Sequence, residues 1–273
     1  MGRGALTFPL VPRGRVSGVP FGGMRSRRRG SGAEVSGARP YRPGDDIRTI
    51  DRFASARASA ASGRDEYIVR EHYADEAARV AIVADAAPSM ALFPPELPWL
   101  HKPAAVEEAS DLIDASARSA RCPVRRIDGA GAAQALHRLG RLRSSTTGSF
   151  VFVLSDFLEP PPVTVWRRAL SRGWDVIPVL IQDPRWEQSF PAVAGAVLPV
   201  LDPADGCLRH VRLRRRDAER RRLANEARLA ALVAGFKRLG VDPVVLSSHD
   251  PDAILAAFLA WSARRGRVRR WVA

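Results

Sequence analysis

The sequence predicts an α/β protein built on an open, mainly parallel sheet flanked by helices. Short apolar runs rich in β-branched residues recur from Arg79 onward, and segments with helical spacing of apolar residues separate them. The first such run, Val80–Ala84, ends on an acid and then a hydroxyl, Asp85 and Ser89. Parallel strands read as continuous apolar runs because helices cover both faces, and strands alternating with helices give β-α-β units with right-handed crossovers.

Taken in order, residues 1–32 are rich in Gly, Arg and Pro, end in MRSRRRGSG and show no periodicity, so they are expected to form a basic, loosely packed or disordered arm. Residues 33–77 carry dense turn chemistry and no long helix pattern, and are expected to form a loop/β appendage. Residues 78–264 form the main domain. Its predicted strands are Val80–Ala84, Phe150–Leu154 and Val176–Ile181, with shorter ones at Val124–Ile127 and Val244–Ser247. Its predicted helices are Ala104–Ala120, Val163–Arg172, Arg214–Leu239 and Asp252–Ala263. The alternation breaks between Ile181 and Arg214, where AVLPVLD and CLRHVRL flank the turn residues Asp202–Gly206. An inserted β-hairpin is expected there, within about 185–213. Residues 265–273 read as a basic tail.

The chain has 273 residues, 46% of them hydrophobic, which suffices for one large core or one domain with an appendage. Its net charge of +14 is almost all arginine, lysine occurring only at Lys102 and Lys237. Such a balance favours acidic partners: nucleic acid, an anionic membrane surface or an acidic protein face. Cys122 and Cys207 lie far apart, with no metal-ligand or redox spacing, and suit a reducing compartment. The N-terminal stretch has too short an apolar run for a signal peptide. No run approaches the roughly 18 apolar residues that span a bilayer, so the cytoplasm is the expected location.

Two motifs carry candidate chemistry. An acid and a hydroxyl at the carboxyl end of a buried strand, Asp85 and Ser89, are oxygen ligands for a hard cation such as Mg²⁺. The second motif, RPYRPGDDIRTID over Arg39–Asp51, sets a Pro43-Gly44 turn before Asp45 and Asp46, with Arg39, Arg42 and Arg48 interleaved. A structural turn locked by ion pairs is the expected outcome there; general acid–base work by the paired carboxylates is the alternative.

RPYRPGDDIRTID followed by Ala56-Arg57, then VADAAPSM, then LSDF at Leu154–Phe157, together resemble the bacterial "domain of unknown function 58" family, whose core is similar to a von Willebrand factor type A domain. QDPRWEQSFP and the LDPADG turn resemble later segments of the same family. The resemblance implies a Rossmann-like sheet with a metal-ion-dependent adhesion site at its top. It carries Asp85, Ser89 and Asp156 over as metal ligands, and Arg39, Tyr41, Pro43, Gly44, Asp45, Asp46, Arg48, Asp51 and Arg57 as motif residues. Ala87 stands where that site has its second serine, Thr146 and Thr147 are the nearest candidates for its threonine, and Arg52 replaces the family's tryptophan. The site is therefore read as degenerate, with Mg²⁺ as its candidate cofactor. Asp85 capping the following turn, with Ser89 bonded to backbone, is the expected arrangement.

Family members are typically encoded near MoxR-type AAA ATPases. The resemblance thus implies a non-enzymatic interaction module or adaptor for such an ATPase. A nucleic-acid-associated protein using the basic arm, Arg214–Arg222 and the tail is the alternative. A metal-assisted hydrolase drawing on Asp85, Asp156 and the Asp45–Asp46 pair ranks third. No Gly-x-Ser-x-Gly elbow, phosphate loop or motif-placed histidine supplies it with a base.

Overall fold

The structure, a computed structural model, describes residues 6–91, 100–141, 147–193, 195, 197–201 and 207–272. In chain order its elements are β1 (Val19–Pro40), α1 (Arg52–Ser62), β2 (Ile68–Ala77), β3 (Val80–Asp85), α2 (Lys102–Ser119), β4 (Val124–Gly129) and α3 (Ala132–Arg141). There follow β5 (Phe150–Ser155), α4 (Val163–Ser171), β6 (Asp175–Ile181), β7 (Val197–Leu201), β8 (Leu208–Arg212), α5 (Arg215–Arg238), β9 (Val244–Leu246) and α6 (Pro251–Val272).

Five strands form one parallel sheet in the order β4-β3-β5-β6-β9, as the alternation predicts. Successive side chains on a strand point to opposite faces, and here both faces are dry. Ile82, Phe152, Leu154, Ile177 and Val179 pack on one side with α2 and α6. Ala81, Val83, Val151, Val153, Val176 and Leu180 pack on the other with α3, α4 and α5. The order changes direction at β3, so its carboxyl end and that of β5 lie side by side at the switch point where open α/β sheets place their sites.

Residues 6–17, expected to be loose, are instead built into the core. Phe8 is 3% exposed and stacks on Phe258 at 4.7 Å, edge-on to Trp261 and Phe152. Its backbone N–H donates to the Ser116 hydroxyl, and the Pro9 carbonyl accepts from the Ser262 hydroxyl. Composition obscured this, because Phe8, Leu10 and Val16 are isolated apolar anchors in a Gly/Arg/Pro-rich stretch. β1 pairs antiparallel with β2 through several register shifts, giving the β appendage a longer form than expected. The glycines of β1 allow this close approach: a Cβ on Gly22 would lie within 2.3 Å of the Glu76 and Ala77 backbone.

The basic tail is also helical, since α6 runs on to Val272. Arg265 is buried and forks onto Asp175 at 2.7 and 2.9 Å, while also donating to the Val11 carbonyl. β7 and β8 form the expected hairpin as a separate two-stranded sheet, with its predicted turn at 202–206 outside the described residues. Two helices were not anticipated. In α1 the composition is Ala/Ser-rich with little apolar contrast, and capping rather than hydrophobicity marks it. Asp51 accepts from the Phe53 and Ala54 N–H groups, and Gly63 closes the helix in the left-handed region. In α3 the i, i+3, i+4, i+7 signal of Ala132, Ala135, Leu136 and Leu139 is present in the sequence and points into the core.

If residues 6–17 are part of the core, Phe8→Ala costs about 3–5 kcal/mol in urea unfolding, whereas Leu6→Ala, at an exposed position, stays within about 0.5 kcal/mol.

Candidate functional site

The carboxyl ends of β3, β5 and β6 each deliver an acidic segment to one place. Asp85 is the last residue of β3. Asp156 directly follows β5, and Gln182, Asp183 and Glu187 follow β6. Between them stands Lys102, the first residue of α2, with its side chain 0% exposed. Its ammonium donates to Asp156 Oδ2 at 2.8 Å, to Glu187 Oε1 at 2.5 Å and to the Ser89 carbonyl at 3.0 Å. All three N–H bonds of the lysine are thereby used.

The surrounding bonds hold this arrangement in place. Glu187 Oε2 accepts from the Asp183 N–H, and Asp183 in turn accepts from the N–H groups of Arg185, Trp186 and Leu100. The Leu100 bond fixes the entry to α2 and hence the root of the lysine. Gln182 donates to the Asp156 carbonyl, and Asp156 Oδ1 accepts from the Leu158 N–H at 3.0 Å. Phe157, next in the chain, takes φ +50°, a left-handed conformation rare for an aromatic residue. That turn sends its ring away from the acids, to 5.5 Å from Phe236 and 5.9 Å from Trp166. Burial pushes the Glu187 carboxyl above its ordinary range, with Lys102 opposing the shift.

The expected metal ligands meet at this edge, but they do not fit a divalent ion. Asp85 accepts from the Ala87 N–H at 2.8 Å and from the Ser155 hydroxyl at 2.7 Å, so it caps its own turn and ties β3 to β5. Ser89 offers its backbone carbonyl to a lysine. Asp156 faces the same lysine. A cation already stands against the oxygens that a metal would need, and among the described residues no group of three or more His, Cys, Asp or Glu side chains could hold one. Of the threonine candidates, Thr147 lies before the amino end of β5, opposite the edge that carries Asp156, where its carbonyl accepts from the Ser17 N–H. Thr146 lies outside the described residues.

Beside the ion pairs, between α4 and α5, opens an apolar cleft of about 350 Å³ lined by Phe157, Pro161, Trp166, Leu232, Gly235 and Phe236. One arginine, Arg228, lies in its wall. Its Nη2 donates to the Glu187 carbonyl at 2.5 Å, whereas its Nη1 is buried without a hydrogen-bond partner among the described residues. Burial lowers the Arg228 pKa, with Glu187 and Asp156 opposing the shift.

The second motif forms a separate cluster on the β1–β2 ribbon. Arg39 forks onto Asp45 with two bonds of 2.6 Å and reaches Glu71 at 3.1 Å. Asp45 also accepts from the Arg42 N–H, closing the Pro43-Gly44 turn, where Gly44 has φ +101°. Asp46 accepts from the Arg48 N–H and caps a 3₁₀ turn at Ile47–Thr49. Asp51 caps α1 and accepts from Arg70 at 2.8 Å, the Tyr41 N–H bonds the Tyr67 carbonyl, and Arg57 is exposed on α1. Among the described residues, neither Asp45 nor Asp46 is bonded to the sheet-top acids.

Sequence reasoning missed Lys102, Gln182, Asp183, Glu187 and Arg228 as a unit. Two signals existed: a lone lysine in the first turn of an Ala-rich helix, in a chain that otherwise uses arginine, and the polar QDPRWEQ segment directly after a buried strand.

A family model described as "Protein of unknown function DUF58" matches residues 92–231, slightly more than half of the chain. That span holds Lys102, Asp156, Glu187 and Arg228, and begins after Asp85 and Ser89. No curated protein and no solved structure gives a significant match.

Removing the lysine charge strands two buried carboxylates, so Lys102→Met costs about 3–5 kcal/mol in denaturant unfolding at neutral pH. Adding Asp156→Asn and Glu187→Gln to Lys102→Met recovers part of that loss. In the ribbon, the Arg39 guanidinium and the Arg42 N–H hold Asp45 at about 2, and Arg70 with the α1 N–H groups holds Asp51 at about 2. Both folded values lie below the unfolded one, so their contribution is complete above about pH 4 and is lost as pH falls toward 2. Carboxyl-carbon NMR should show both midpoints, and Arg39→Ala should return only that of Asp45 toward its ordinary value.

Proposed function

The chain belongs to the DUF58 family of proteins of unknown function, and we propose from that premise that it is a non-enzymatic interaction module, an adaptor for a MoxR-type AAA ATPase. The cleft beside the buried ion pairs carries this reading. It joins an apolar floor of Phe157, Trp166 and Phe236 to a guanidinium nitrogen that no described residue satisfies. A buried unpaired donor is unfavourable until an acceptor reaches it. The matching occupant is a partner segment that places an apolar side chain in the cleft and a carboxylate on Arg228. The adjacent acids are spent on Lys102, on N–H groups and on the Ser155 hydroxyl, which supports a docking surface rather than a reaction centre.

Three of the six arginines of the 214–222 run, Arg220 to Arg222, have partners within the chain and give less support to nucleic-acid binding. Arg222 bonds Glu219 and Glu226, Arg220 lies 3.4 Å from Asp217, and Arg221 stacks over Phe190. No described helix is long and apolar enough to cross a membrane.

Gly235 lines the cleft and has open space where a Cβ would stand, so Gly235→Phe fills the cleft with little strain on α5. With a purified MoxR-type ATPase from the same organism, Gly235→Phe and Arg228→Met should each weaken binding about tenfold, equivalent to about 1.4 kcal/mol. EDTA should leave binding unchanged. Wild-type affinity in both variants overturns the reading.

A further inference from the structure

A pocket between α3 and α4 gathers cations with no acid to balance them. Its volume is about 90 Å³, and its wall includes His137, Gly140, Arg141, Arg168, Arg172 and Trp174. Among the described residues no Asp or Glu lines it, and none of its four exposed basic side chains is in an ion pair. The contrast with other arginines is sharp. Arg39, Arg118, Arg126, Arg222 and Arg265 each reach a carboxylate at 2.7 Å or less.

The pocket is preorganised around Arg172. Its guanidinium carbon lies over the Trp174 ring, 5.1 Å from the centre and within cation–π range. On the α3 side it packs against Gly140, where a Cβ would stand 2.1 Å from Arg172 Nη1 and 3.0 Å from Cζ. A glycine is a poor helix former, yet here it gives the guanidinium its seat. Trp174 is 5% exposed, so its ring is a floor for Arg172 and offers a nucleobase no free face to stack on.

Charge and size together select the ligand. Arg141 lies in the last turn of α3 and Arg168 in that of α4, with Arg172 as the α4 C-cap. A helix carboxyl end carries about half a negative charge, so two such ends offset about one of the three arginine charges. A surplus of about two remains. A phosphomonoester brings about −1.5 to −2 and three acceptor oxygens, whereas a nucleic-acid phosphodiester brings one charge. Guanidinium forks match phosphate geometry, and the His137 imidazole adds a donor. A water molecule in the liquid takes about 30 Å³, so this pocket houses a phosphoryl group and little else. The body of the ligand then stays outside, on the surface of the two helices.

We propose that this pocket receives the phosphoryl group of a phosphorylated serine or threonine on a partner protein. It is lined by different residues from the cleft between α4 and α5, and the inference stands whether or not that cleft holds a partner.

The test uses the full chain and reads binding heat, with sodium chloride at matched ionic strength as the control. Inorganic phosphate should bind, and a short phosphothreonine peptide should bind about tenfold or more tighter than its unphosphorylated form. Arg168→Met and Arg172→Met should keep the wild-type circular dichroism and each weaken phosphate binding about tenfold, as loss of one charge-assisted contact requires. Gly140→Ala should weaken it too, because the new Cβ displaces Arg172, while its thermal midpoint stays at or above that of the wild type. Absence of phosphate binding above the chloride control, or equal binding by wild type and Arg172→Met, overturns the site. Equal affinity for the two peptide forms overturns the protein-borne phosphate. So does duplex DNA that binds through Arg172 more tightly than the phosphopeptide at equal phosphate concentration.

Discussion

An ammonium buried among carboxylates constrains everything around it, because each charge depends on the others for its place in the interior. Lys102 can remain ionised at zero exposure only while Asp156, Glu187 and the Ser89 carbonyl stay within hydrogen-bond reach. Those groups come from three segments that follow three strands, so the ion pairs clamp the sheet at its carboxyl edge. The bond from the Leu100 N–H to Asp183 extends the clamp to the start of α2. The left-handed turn at Phe157 lies next to this clamp, which supplies the fixed surroundings such a conformation needs.

The same clamp divides the edge into two regions with different physics. On one side the acids are engaged by Lys102, by backbone N–H groups and by the Ser155 hydroxyl, while Gln182 Oε1 is buried without a hydrogen-bond partner among the described residues. On the other side Phe236 meets Phe157 and Trp166 edge to face, and these rings form a concave apolar wall that Arg228 also lines. Surfaces of that kind recognise a side chain and an adjacent acid by fit and charge together, without a chemical step. The β1–β2 ribbon is built differently again: its Arg39–Asp45 fork is only partly buried.

Much of the sheet was legible because buried parallel strands need uninterrupted apolar runs, and Val80–Ala84, Phe150–Leu154 and Val176–Ile181 have little other use. The N-terminal anchors were not legible, since Phe8 meets Phe258 and Trp261 only in three dimensions and no periodic pattern announces it. At the candidate site, the motif placed Asp85 and Asp156 at the correct edge. It could not show that their oxygens were already engaged, because the lysine that engages Asp156 is distant in sequence from both acids and carries no motif. The α1 helix failed for a related reason: its start is set by the Asp51 side chain rather than by an apolar stripe.

The seating of Phe8 against α6, together with the bond from Arg265 to the Val11 carbonyl, bears on how the protein is made. Phe8 has its resting place on a helix made about 250 residues later. At about 5–20 residues per second, Phe8 waits roughly 10–50 s for its partners. During that interval the face of the sheet that it covers stays open, and the nascent chain must pass through a state with Phe152 and its neighbours uncovered. Such a protein completes this part of its core only once α6 has been made.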